Sequence, residues 1–166
     1  NMNIKERILK SENEAYKAFA SCIEKDYGLL YYNEDNKESH DSNHAILYPE
    51  KITDMESTIR DIIEFYLAKS IVPRIYQPSI TGYFENYREV LERMGYEVKI
   101  FGFNSYMLLT EENKIDIEKR LDIKRLLEWD ERIARDILIP NKEEYEIDVI
   151  KNLLKQKDSY LFVGYL

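Results

Sequence analysis

The sequence predicts an α/β (α+β) fold in which a mixed sheet is flanked by helices. Short runs rich in β-branched and aromatic residues, typical of strands, alternate with longer segments whose apolar residues recur every three or four positions. Proline and glycine separate these segments, because neither residue continues regular structure easily. Strands that alternate with amphipathic helices are typical of a sheet whose faces the helices cover.

The first 50 residues are predicted to supply one helix and two strands. Apolar residues at helical spacing predict an amphipathic helix over 4–25, in which Cys22 is a small core residue. Tyrosine and leucine predict a strand over 27–33, and a second strand is predicted over 44–49. The polar segment 34–43 is expected to be the loop between them.

The clearest helix is predicted over 54–70, where the apolar residues fall on one stripe. Pro73 is expected to end this helix, and a short strand is predicted over 73–78. A second amphipathic pattern predicts a helix over 82–94, followed by Gly95 as a left-handed cap.

The remainder predicts further strands over 96–110 and then a C-terminal β-α-α-β extension. The segments of that extension are a strand at 114–121, helices at 122–138 and 143–157, and a strand at 159–166. We therefore predict two domains, 1–110 and 111–166. The second is either the beginning of another domain of the same kind or a segment that completes the first.

Charge and cysteine content limit the classes of function. The formal net charge is −8, which disfavours binding to nucleic acid or to an anionic membrane surface. No apolar run approaches the roughly 20 residues that a membrane-spanning helix needs. A single cysteine makes a disulfide framework impossible and favours a cytoplasmic protein. The 14 tyrosines suit interfaces as well as cores, and one interpretation of their number is that some of them face a partner.

Three stretches carry a resemblance to a known family. "DSNHAIL" before the long helix, "PRIY" between the two helices, and "ENYREVLERMGYEV" resemble the amino-terminal GNAT-like domain of tandem acetyltransferases. Residues 114–166 resemble the opening of a second GNAT domain. The resemblance implies a largely antiparallel GNAT-like sheet, acetyl-CoA as the acyl donor and a small-molecule amine as the acceptor. It also implies a second GNAT domain as a partner.

The turn that binds the cofactor in that family departs from the pattern here. The family holds the pyrophosphate of its cofactor on a Gln/Arg-x-x-Gly-x-Gly/Ala turn before the long helix. The matching segment, "PEKITDME", has no glycine and carries Glu50, Asp54 and Glu56. Thr53 and Glu56 also predict a capping box that would occupy N–H donors at the helix start. We therefore expect no acyl-CoA binding at this turn and name no catalytic or cofactor-binding residue.

The candidate cleft residues are His44, Arg74 and Tyr76. Arg74 and Tyr76 lie on the short predicted strand, beside the cleft that a GNAT fold opens between diverging strands. They could contact a ligand there, although an arginine at such a place more often pairs with a carboxylate. His44 has an intrinsic pKa suited to a general base, but no role is assigned to it without a cofactor loop.

A metal site is the other interpretation of this region. His40, Asp41 and His44 could bind a divalent cation, but their spacing lies in a loop rather than on a helix. We favour a loop in which Asp41 and Asn43 form hydrogen bonds with the backbone and orient the strand that follows.

Three functions remain open at this point. The first is the non-catalytic amino-terminal part of a tandem acetyltransferase. The alternative is a non-enzymatic dimerisation or binding module with a degenerate GNAT fold, acting as a homodimer. The third is a self-sufficient enzyme with a non-standard acyl-CoA site.

Overall fold

The computed structural model of the protein describes residues 3–76, 78, 80, 82–99, 122–157 and 159–165. The chain divides into two compact units, Asn1–Lys99 and Ile100–Leu166. The predicted domain boundary after residue 110 lies outside the described residues, as do the predicted strand residues 100–110 and 114–121. Within the described ranges, no helix is long and apolar enough to cross a membrane.

The first unit is a mixed sheet with helices against both faces. Its elements are α1 (Ile4–Tyr16), β1 (Ser21–Lys25), β2 (Gly28–Tyr32), β3 (His44–Leu47), α2 (Met55–Leu67), β4 (Ile75–Tyr76) and α3 (Arg88–Arg93). The strand order is β1-β2-β3-β4, with two antiparallel pairings followed by one parallel pairing. This confirms the predicted class, a mixed and largely antiparallel sheet flanked by helices.

The two faces of the sheet contact different helices. Successive side chains on a strand point to opposite faces, and residues paired across two strands share a face. Leu30 pairs with Ala45, and both belong to the core that α2 covers. Tyr31 pairs with His44 on the opposite face, where Tyr16 of α1 contacts both rings. The strands β2 and β3 are therefore buried on both sides.

The helix predicted over 4–25 is correct only in its first part. The helix α1 ends at Tyr16, and Ser21–Lys25 instead forms β1, which pairs with β2 across a two-residue turn. Cys22 therefore lies on a strand and is half-buried. At the start of β2, a Cβ added to Gly28 would lie 2.1 Å from the carbonyl oxygen of Ile46. Only glycine permits that approach of the two strands.

The central helix is confirmed, and it is shorter at its C-terminus than predicted. Of the predicted stripe, Met55, Ile59, Ile62 and Tyr66 are buried, whereas Ile63 is half-buried. Leu67 is 59% exposed, so its predicted place on the inward face is wrong. The helix ends at Leu67, well before the proline expected to stop it.

The next segments match their predictions in part. The predicted helix over 82–94 consists of a 3-10 turn, Phe84–Tyr87, followed by α3. Gly95 has a φ of +90°, which confirms the predicted left-handed cap. The short predicted strand reduces to the two residues of β4. Residues 96–99 are neither helix nor strand, so that part of the predicted strand is wrong.

The second unit has the predicted β-α-α-β order. Its elements are β5 (Asp122–Leu126), α4 (Glu131–Ile133) continuing as a π-helical turn (Ala134–Leu138), α5 (Glu146–Lys155) and β6 (Leu161–Tyr165). The strands β5 and β6 are antiparallel. Their inner side chains and the helices border an apolar pocket of about 250 Å³.

The helix predicted over 122–138 is wrong in its first third, which is β5. The sequence predicts that the apolar residues of this helix point inward, namely Ile123, Leu126, Leu127, Ile133, Ile137 and Leu138. Leu127 is 75% exposed and Ile123 is also exposed, so the prediction is wrong for both. Ile133 and Leu138 are buried, as predicted, whereas Ile137 is exposed. Short apolar segments fit the period of a helix as well as that of a strand. Here the segment forms a strand because it pairs with β6, which is distant in the sequence.

Candidate functional site

In the turn between β3 and α2, a side chain of the protein itself caps the start of the helix. This segment contains a 3-10 turn, Pro49–Lys51, and the helix then starts at Met55 with Asp54 as its N-cap. The Asp54 carboxylate accepts the N–H of Ser57 at 3.2 Å. The capping box predicted for Thr53 and Glu56 is therefore wrong, because the helix begins one residue later than that box requires.

The charge at this turn is more balanced than the sequence indicates. Glu56 lies in the first turn of α2 and forms ion pairs with Arg60 at 3.1 Å and Arg93 at 2.6 Å. These pairs are exposed and contribute little stability, but they offset the negative charge of Glu56. The features that oppose phosphate binding are therefore the missing glycines and the N–H donor that Asp54 already occupies.

His44 and Tyr76, two of the candidate residues, are in direct contact. The His44 ring stacks on the Tyr76 ring with centroids 4.0 Å apart and an interplanar angle of 14°. Tyr16 meets the same imidazole edge-on at 4.4 Å, and Tyr31 lies 5.1 Å away. We call these four rings the His44 cluster. Its tyrosines come from α1, β2 and β4, so the cluster joins three elements to β3.

One ring nitrogen of His44 forms a hydrogen bond, and the other has no hydrogen-bond partner among the described residues. Nδ1 lies 3.2 Å from the carbonyl oxygen of His40. A carbonyl only accepts hydrogen bonds, so Nδ1 carries the proton and Nε2 carries the lone pair. Nε2 is buried, and no described residue offers it a hydrogen-bond partner. Burial lowers the pKa of His44 to about 4, against a weaker opposing effect of the His40 carbonyl and Asp41.

Tyr76 and Arg74 are held through different contacts. The Tyr76 hydroxyl donates to Asp41 at 2.9 Å, and burial followed by this bond raises the pKa of the phenol. Asp41 was predicted to bind the backbone, but its side chain accepts from the phenol instead. The Arg74 carbonyl accepts the N–H of Ala45 at 2.9 Å, and its guanidinium donates to the Val72 carbonyl at 3.4 Å. Arg74 is partly exposed.

Asn43 acts as the sequence predicted and orders the loop before β3. Its side-chain oxygen accepts the N–H of Asn33 at 2.8 Å. Its amide nitrogen donates to the carbonyls of Asn36 and Ser39 at 2.8 and 2.9 Å. The side chain is fully buried, so these bonds satisfy groups that water does not reach.

Tyr16 and Tyr31 complete the His44 cluster, and the sequence did not single them out. Tyr16 fits an ordinary helix, and Tyr31 fits an ordinary strand. The one available signal was the period of two along "GLLYY", which places Tyr31 on the face opposite Leu30.

Burial limits the chemistry that these residues can perform as they stand. His44 is neutral near neutral pH but is 0% exposed, and the Tyr76 hydroxyl is engaged by Asp41. Among the described residues, no group of three or more histidine, cysteine, aspartate or glutamate side chains is placed to hold a metal ion. Comparison with protein-family models, with curated proteins and with solved structures finds no match to this chain.

Proposed function

We propose that this protein is the non-catalytic amino-terminal part of a tandem acetyltransferase of the GNAT family, acting in the cytoplasm. The connection of the chain from β3 through α2 to β4 supports this proposal. In the first unit, a long helix joins two parallel neighbouring strands, as in the resemblance drawn from the sequence. The strands β3 and β4 pair through only two residues each, which agrees with the diverging strands that border the family's cleft.

The observation that carries the non-catalytic assignment is the turn before α2. In the family, glycine allows the backbone to approach a pyrophosphate, and free N–H groups at the helix start bind it. Here the cap by Asp54 uses one of those N–H groups, and the segment before the helix is a 3-10 turn that begins at Pro49 and contains no glycine. The acyl transfer from acetyl-CoA to an amine would then belong to another domain. The first unit would shape the acceptor cleft or hold the domains together.

Isothermal titration with acetyl-CoA tests this assignment on the full chain. We expect no binding tighter than roughly millimolar, or about −4 kcal/mol. Micromolar binding that Asp54→Lys or Glu50→Lys changes would place the cofactor at this turn and overturn the proposal. Micromolar binding that survives both substitutions and is lost in Arg74→Ala would overturn it in favour of a different acyl-CoA site.

A non-enzymatic homodimer is the second candidate, and the outer face of β5 and β6 favours it. The register places Arg125 opposite Phe162 and Ile123 opposite Gly164 on this face. Phe162 is 63% exposed, and Ile123 and Tyr160 are also exposed. A second copy could cover this face with its own, because a two-fold interface uses the same patch on both partners.

Analytical ultracentrifugation separates the two candidates. A dimer that Phe162→Glu dissociates supports the second candidate. Tyr145→Glu is the matched control, because Tyr145 is as exposed as Phe162 but belongs to neither strand. A monomer at all accessible concentrations would exclude the homodimer and leave the first proposal in place.

A further inference from the structure

The helix α1 is attached to the sheet through His44 and Tyr31. The ring of Tyr16 contacts both His44 and Tyr31, at centroid distances of 4.4 and 5.3 Å. The Tyr31 hydroxyl also donates to the carbonyl of Asn13 in α1 at 2.8 Å. Because His44 and Tyr31 are neighbours on β3 and β2, both attachments depend on the packing of one face of the sheet.

A second proton on His44 would have no acceptor at Nε2 among the described residues. Nδ1 already donates to the His40 carbonyl, so a second proton would occupy Nε2, which is buried and has no described partner. Burying an unpaired cation is costly.

The groups that face the imidazole offer limited compensation. Tyr16, Tyr31 and Tyr76 pack around it as phenols, and burial raises the pKa of each, so they stay neutral. Among the described residues, Asp41 is the carboxylate that favours the charged imidazole, and its backbone acts in the same direction. Its side chain already accepts the Tyr76 hydroxyl.

Of the elements that contribute rings to the His44 cluster, β4 has no buried residue but is paired with β3. The helix α1 is held to its face of the sheet less firmly than α2 is held to the opposite face. None of its residues is buried, whereas α2 buries five, including Ile59 and Ile62. Removing α1 takes Tyr16 away from the imidazole and uncovers that face of the sheet to water. A charged His44 is then hydrated without separating β2 from β3.

We propose that His44 couples the docking of α1 to pH, so that proton uptake by the imidazole releases the helix from the sheet. The neutral imidazole is compatible with the closed form, in which α1 is docked on the sheet. The charged imidazole is compatible with the open form, in which α1 is undocked. Acidification therefore shifts the population toward the form in which α1 is undocked.

The direction and size of the effect follow from linkage. The pKa of His44 is lowered to about 4 in the closed form, and hydration in the open form raises it toward the ordinary value of 6.5. The open form therefore binds the proton more tightly, and the closed form loses population as the pH falls below 6.5. Between about pH 7 and about pH 5, the open-to-closed ratio should rise by up to about 20-fold, the limit reached when the open form restores the ordinary pKa in full.

Hydrogen exchange on the full chain at these two pH values tests the proposal. After correction for intrinsic exchange chemistry, the protection of the α1 amides should fall by up to about 20-fold, while that of the α2 amides should not change. His44→Phe keeps an aromatic ring but cannot take up a proton, so it should abolish the loss. His40→Gln is the matched control, because His40 is the only other histidine and is exposed, and it should behave as wild type.

A second measurement on the wild type keeps the proposal testable if His44→Phe does not fold. Imidazole resonances followed by NMR should show His44 titrating together with the α1 amide resonances. A His44 that titrates while α1 stays fully protected would overturn the proposal. A loss of protection that is equal in α1 and α2, or equal in wild type and His44→Phe, would also overturn it.

Discussion

A single buried amide determines how the loop between β2 and β3 reaches the sheet. The Asn43 side chain accepts the N–H of Asn33 and donates to the carbonyls of Asn36 and Ser39, which are three backbone groups of this loop. Asn43 immediately precedes His44, so the same bonds place the imidazole among its tyrosines. The order of the loop and the geometry of the His44 cluster therefore depend on one residue.

We expect Asn43→Ala to lower the free energy of unfolding by about 2–4 kcal/mol, because several backbone groups lose their partners. Urea denaturation near neutral pH measures this loss. Asn36→Ala is the matched control, because the Asn36 side chain is exposed and should change stability by no more than about 0.5 kcal/mol. A loss below about 1 kcal/mol for Asn43→Ala would mean that water satisfies these groups instead.

The role of Asn43 could be predicted from the sequence, whereas the contacts of the tyrosines could not. An asparagine in a polar loop before a strand binds nearby backbone, and its partners are within ten residues. The partners of Tyr31 lie in α1 and β3, and they are fixed only when the strands have paired. A local pattern identifies a buried face but does not identify the side chain that packs against it.

At the scale of elements, three helical segments in the described residues end with the same backbone motif. After α2, α3 and the π-helical turn, the N–H groups of Ile71, Tyr96 and Glu143 each bond the carbonyl five residues earlier. The preceding residues, Ser70, Gly95 and Lys142, have left-handed φ angles of 58°, 90° and 61°. These are Schellman motifs, and only one has the glycine that this conformation favours.

We expect Ser70→Gly to stabilise the protein by about 0.5–1 kcal/mol, because glycine adopts a positive φ without the strain that a Cβ causes. Lys142→Gly should act in the same direction. Chemical denaturation measures both. Ala68→Gly is the control, because Ala68 has the helical φ of −59° and glycine there should destabilise instead. If Ser70→Gly were as destabilising as Ala68→Gly, strain at the left-handed residue would not control the stability of this cap.

The elements that the sequence predicted best are those whose pattern is long and local. The stripe of α2 extends over three turns, so its period is unambiguous. The strands β1 and β5 were predicted as helix because their few apolar residues fit a period of 3.6 as well as a period of two. Their strand character comes from pairing with β2 and β6, and such pairing overrides local propensity. The sequence also gives no signal for the early end of α2. The left-handed residue after this helix is Ser70, and serine is uncommon at a position where glycine would have predicted the cap.

For the whole molecule, the two units differ in how much they bury. The first unit has a continuous core on the α2 face of its sheet. Its members are Leu30, Ala45, Leu47, Met55, Ile59, Ile62, Tyr66, Ile71, Tyr83, Phe84 and Leu91. Among the described residues of the second unit, only Ile133, Ala134 and Leu138 are buried, and α5 has no buried residue. Burial of apolar surface is the main force that favours folding, so the stability of the two units should differ.

We therefore expect native-state hydrogen exchange to protect α2, β2 and β3 at least about tenfold more than α5 and β6. Exchange followed near neutral pH, where His44 is neutral, separates this difference from the release of α1. Ile62→Ala removes a fully buried side chain of the first core and should reduce the protection of α2. Leu138→Ala should act on α5 and β6 in the same way.

Equal protection in α2 and α5 would contradict the prediction, because the burial of the described residues would then not account for the stability of the second unit. Dilution would distinguish the cause: protection of β6 that falls with protein concentration would come from a second copy on its exposed face.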